Sequence, residues 1–143
     1  HDHGTALFLA GDLTSAALLG AALSAMLMGH IYLMAPAMSL TPLMRLLAAL
    51  VVALVARLAV DGYALGSWTT AHPSATLRSD VLLWLPVRWG VGFVLPLVLT
   101  WMAWQSACIR STQSATGILY VVVIFCFLGE LIGLLLRDDG FTC

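Results

Sequence analysis

There is no lysine anywhere in these 143 residues. That absence removes lysine Schiff-base chemistry and any lysine-rich patch for nucleic acid or lipid headgroups. All six basic residues are arginines: Arg45, Arg57, Arg78, Arg88, Arg110 and Arg137. Arginine suits a cation that must be paired inside protein, because its planar guanidinium donates in fixed directions. Charge of either sign is scarce, at 9 % of residues against about 25 % in a soluble domain. The three cysteines, Cys108, Cys126 and Cys143, show no CxxC spacing and cannot all pair. Cys126 falls in an apolar run and reads as a small buried hydrophobe. HExxH, GxSxG and phosphate-binding glycine loops are missing too, and with them the usual signatures of hydrolysis and phosphoryl transfer.

What the chain has is apolar surface. Hydrophobic residues make up 62 % and the mean hydropathy is +1.02, whereas a soluble domain is at most about half apolar. A core of this size cannot hide that much from water. The composition places residues 1–143 in a bilayer as one domain. It argues against a soluble enzyme, a secreted disulfide scaffold and a nucleic-acid binder.

A helix needs about 20 apolar residues to cross roughly 30 Å of hydrocarbon. Four stretches qualify: 13–34 (starting as early as Thr5), 42–66, 80–105 and 114–136. Thr41-Pro42 and Ser79-Asp80 read as helix starts, with proline tolerated in the first turn. Continuous apolar runs without period-two alternation exclude a barrel. The joining segments are short, so the spacing predicts an all-α, antiparallel four-helix bundle with both termini on one face. The longest loop, 67–79, contains His72 and Pro73. No internal repeat or low-complexity segment is visible.

Arg45 and Arg110 flank the loops of the face opposite the termini, with no acid beside them. Arg78 and Arg137 share the other face with Asp2, Asp80, Asp138 and Asp139 over more loop residues. That bias in density favours both termini outside a bacterial inner membrane. The opening His1-Asp2-His3, without methionine, agrees with removal of a leader. Trp68, Trp84 and Trp89 fall towards the terminal face and Trp101 and Trp104 towards the other, as interfacial anchors do.

Five charged residues lie within or at the margins of the spans: Asp12, Arg57, Asp61, Arg88 and Glu130. Counted from the terminal face at 1.5 Å per residue, all are about 8–14 Å deep. Arg57 and Asp61, four apart, share a helix face. Charges facing lipid are costly, so these groups are expected to meet inside the bundle. They form a static polar clasp that fixes helix register, or a quinone or proton site that uses one protonated carboxyl, or Asp12 is a plain interfacial N-cap and Arg88 snorkels to the headgroups. Gly129 and Gly133 bracket Glu130 as GxxxG, which lets a neighbouring helix approach closely.

Met26, His30, Met34 and Met38 recur every fourth residue, a stripe drifting about 40° per step. Thioether and imidazole suit Cu(I) or the axial positions of haem iron, and His1 with His3 could chelate Cu(II). The plainer reading of the stripe is helix packing. A bis-histidine haem lacks its second histidine within the spans, so no cofactor is expected from this chain alone. A quinone or haem at an interface with another subunit, with His30 contributing, stays open.

The expectation is a small integral-membrane subunit, not catalytic by itself, of a respiratory or photosynthetic electron-transfer complex. It would anchor or stabilise partner subunits of a membrane oxidoreductase, such as cytochrome or iron–sulfur subunits, among lipids and without nucleic acid. It could also line a quinone site. The rival classes are a copper-handling membrane protein and a purely structural subunit without ligand.

Overall fold

The computed structural model describes residues 2–35, 37–71 and 79–138, and the side chains of 5–35, 37–71, 83 and 85–135. The elements are α1 (Asp2–Met34), α2 (Thr41–Ala71), α3 (Ser79–Trp89), a π turn (Gly90–Val94), α4 (Leu95–Cys108) and α5 (Thr112–Asp138). The segment from α3 to α4 acts as one span. Four helices are thus long and apolar enough to cross a membrane: Thr5–Met34, Thr41–Ala71, Leu85–Cys108 and Thr112–Leu135. They pack as an antiparallel bundle in which α1 touches α2 and α5, and α4 lies on α5.

Several helix ends differ from the sequence expectation. Helix α2 runs through Ala71, so the first part of the expected 67–79 loop is helical; His72 and Pro73 fall outside the described residues. Its polar end stays helical because the hydroxyls of Ser67, Thr69 and Thr70 donate back to Ala64, Gly66 and Ser67 carbonyls. The first carbonyl of α2 is that of Leu40, taken by the Met44 N–H at 3.1 Å, not that of Thr41. Helix α4 continues three residues past Gln105. It closes with Ser111 N–H bonded to the Ser106 carbonyl and Arg110 N–H to that of Ala107, a Schellman ending. Arg110 sits in the left-handed region at φ 59°, where glycine is usual.

Three helices share one packing rule. The contact seams follow alternating spacings of four and three residues. On α2 the seam residues are Leu43, Leu47, Leu50, Leu54 and Arg57, with Ala53 buried beside them. On α1 they are Leu18, Ala22, Ala25, Gly29 and Tyr32. On α5 they are Ala115, Leu119, Val122, Cys126, Gly129 and Gly133, with Thr116 buried beside them. This heptad rhythm keeps neighbouring helices in contact at a shallow left-handed crossing. Small residues on the seams draw the backbones together. A Cβ on Gly29 would stand 2.8 Å from Thr116 Oγ1, and one on Gly129 2.6 Å from the Gly92 Cα. Away from the seams, Leu13, Val52, Val98, Ile124 and Leu131 are all exposed, as a surface against acyl chains requires.

The π turn has a cause in the sequence. Proline at 96 has no N–H to bond the carbonyl of residue 92 and its ring would strike that carbonyl. The Leu95 N–H instead bonds Gly90, five residues back, and the wider turn carries one extra residue. In an uninterrupted α-helix, the buried Pro96, Thr100, Ala103 and Ala107 would lie about 80°, 120°, 60° and 100° around from Arg88. One inserted residue takes back about 100°. Arg88 thereby joins the buried face of α4.

Candidate functional site

The apolar core occupies the half of the bundle away from the termini, around Leu47, Leu50, Ala107 and Leu119. Nearer the terminal face the same seams turn polar. On α2 the rhythm of Leu50 and Leu54 continues into Arg57 and then Asp61. On α1 it reaches Ser15 and Gly11, and on α5 it passes Gly129 and Gly133 beside Glu130.

There the side chains form a bonded chain. Arg57 grips Glu130 through Nε to Oε1 at 2.9 Å and Nη2 to Oε2 at 3.1 Å. Its Nη1 pairs with Asp61 Oδ1 at 3.0 Å one turn along α2. Asp61 Oδ2 accepts from Arg88 Nη2 at 2.5 Å, and Ser15 Oγ donates to Glu130 Oε2 at 2.6 Å. The chain runs Ser15, Glu130, Arg57, Asp61, Arg88, and ties α1, α5, α2 and α3 together. Its other end also rests on α5, because a Cβ on Gly133 would stand 2.6 Å from Arg88 Nη1. A side chain there would displace the guanidinium from this position. The side chains of Arg57, Asp61, Arg88 and Glu130 are 10–14 % exposed. No buried side-chain nitrogen or oxygen lacks a hydrogen-bond partner among the described residues.

Asp12 lies at the margin. Its residue is exposed, yet it lines the same small cavity as Gly11, Ser15, Arg57 and Glu130, and its charge acts on Arg57. The cavity holds about 80 Å³. A drug-sized ligand site spans about 300–1,000 Å³, whereas a single water needs only ~10–15 Å³. The space accommodates a few waters.

The methionine and histidine stripe goes elsewhere. Met26 is partly buried against the core, while His30 is exposed and Met34 and Met38 are 81 % and 46 % exposed. The drift of a four-residue spacing carries Met26, His30 and Met34 from the seam to the outer surface, and Met38 lies beyond the Met34 end of α1. Among the described residues no three His, Cys, Asp or Glu side chains gather as a metal site. His1, and the side chain of His3, fall outside the described residues, as do Cys143 and the side chains of Trp84, Arg78 and Arg137.

Two contributors were not singled out from sequence. Ser15 has no motif, but it falls four residues after Gly11 and three before Leu18, on the α1 seam. Gly92 gains its meaning from Gly129 opposite it. Trp89, expected as an anchor, lies four residues into the Leu85–Cys108 span beside the π turn, where its ring meets Phe93 edge-on at 5.8 Å. Tyr32 fastens the other end of α1, its hydroxyl donating to the Ser39 carbonyl. No family model, curated protein or solved structure matches the chain.

Proposed function

We propose that the chain is a non-catalytic integral-membrane subunit that anchors partner proteins, with a multi-subunit electron-transfer complex as its setting. The observation that carries the non-catalytic part is the mutual pairing of the ion-pair layer. Both oxygens of Glu130 are occupied as acceptors by Arg57 and Ser15, and both oxygens of Asp61 by the two arginines. A group acting on a substrate needs an open position, and this arrangement spends its donors on fixing four helices. The cavity beside it is too small for a quinone ring with its tail, which favours a clasp over a quinone site. The copper alternative draws on Met26 against the core, His30 and Met34 on the outer side of α1 and Met38 beyond its end, so a partner would have to complete the coordination.

The proposed location is a bacterial inner membrane with both termini outside. Extraction in mild detergent tests the assembly directly: cytochrome or iron–sulfur subunits should copurify in fixed ratio. A solitary chain, with or without copper, contradicts the proposal. In the assembled complex Glu130→Gln should lower thermal stability while quinol turnover stays normal. A variant that assembles fully but turns over slowly would show instead that Glu130 exchanges a proton, since glutamine keeps the shape and cannot.

A further inference from the structure

A large apolar groove lies on the outer surface between α2 and α4, in the half of the bundle opposite the termini. It encloses about 680 Å³ and is walled by Ala48 and Val52 on one side and Leu97, Val98, Trp101 and Trp104 on the other. The buried Thr100 at its floor adds no free polar atom, because its hydroxyl donates to the Pro96 carbonyl at 2.6 Å. Length and charge together select the occupant. Ala48 is seven residues from the Thr41 start of α2, and Trp101 seven from the Cys108 end of α4. Both are therefore about 10 Å deep. Val52 and Leu97 are each eleven residues in, at about 16 Å. The groove thus ends near mid-bilayer, one leaflet of a ~30 Å core. An acyl chain of one leaflet matches that length.

The headgroup end carries a cation. Arg45 lies three residues before Ala48 and seven before Val52, on the same stripe of α2, and at the same depth as Trp104. It is exposed and makes no ion pair with a described residue. An anion at that level would pair with it.

We propose that the groove between α2 and α4 binds one anionic glycerophospholipid, its phosphate on Arg45 and an acyl chain along Ala48, Val52, Val98 and Trp101. The site is separate from the ion-pair layer and does not depend on the partner-anchoring role. The test is native mass spectrometry of the detergent-purified full chain. It is loaded in turn with phosphatidylglycerol, with phosphatidylcholine of identical acyl chains, and with a long-chain quinone. One phosphatidylglycerol should be retained per chain, with phosphatidylcholine held about fivefold more weakly, the worth of one interfacial charge. Arg45→Gln should erase that difference, and Val52→Trp, which fills the groove from an outward-facing position, should release both lipids. Val98→Trp fills it from the opposite wall should the first variant fail to fold. Equal retention of the two lipids by the wild type, retention unchanged by both tryptophans, or preference for the quinone would each overturn the assignment.

Discussion

At the scale of single residues, the absence of lysine and the geometry of Arg57 are one fact. Three nitrogens of this guanidinium serve two carboxylates on two helices, a fork that an ammonium cannot imitate. Arg57→Lys should therefore keep the charge yet cost about 1.5–3 kcal/mol, the worth of a charged hydrogen bond, measured as unfolding in detergent or nanodiscs. Arg110 is the opposite case, a residue held where its backbone is strained. Arg110→Gly should raise stability by about 1–2 kcal/mol. A fall instead would mean that the guanidinium makes a contact outweighing the left-handed backbone. The shared depth of Arg57, Asp61, Arg88 and Glu130 was legible in the sequence because only residue counting was needed. The role of Ser15 was not, since a serine in an apolar helix carries no depth signal of its own and its partner is 115 residues away.

At the scale of elements, the spans were legible and their inner faces were not. Lipid is as apolar as leucine, so a membrane helix shows no contrast between buried and exposed sides. The seams are marked instead by small residues in a four-three rhythm, as in Ala22, Ala25 and Gly29. The π turn escaped for a related reason: Pro96 announces a lost bond, but not how the ladder repairs itself. Two glycines of α5 give opposite expectations. Gly129→Leu drives a side chain into the Gly92 backbone and should cost about 1–3 kcal/mol or more. Gly117 has open space around its missing Cβ, so Gly117→Ala should leave stability unchanged or raise it by up to ~1 kcal/mol. Thermal unfolding of the two variants side by side decides whether α5 packs by this face.

At the scale of the whole molecule, two layers divide the work. Apolar packing holds the half away from the termini, and the bonded charges hold the other. Each charge facing lipid at the centre of a helix would cost about 2.5–3.5 kcal/mol, so their mutual pairing also discriminates against misregistered bundles. The proposed orientation puts the α4–α5 turn in the cytoplasm, beside the exposed Cys108, while Cys126 is buried within α5. In a Cys143→Ser background, a membrane-impermeant maleimide should leave intact cells unlabelled and label one thiol after permeabilisation. Labelling of intact cells would reverse the orientation.

The most direct test of the central claim, that the layer is a structural clasp, is a double-mutant cycle across Arg57 and Glu130. Unfolding free energies are measured for the wild type, Arg57→Met, Glu130→Leu and the double variant. Each single change strands a buried partner and should cost about 3–5 kcal/mol. The double variant removes both charges and should be less destabilised than the sum, by a coupling of about 0.5–3 kcal/mol. Additive effects within ~0.5 kcal/mol would mean that the two residues stabilise the bundle independently, and the clasp would be refuted.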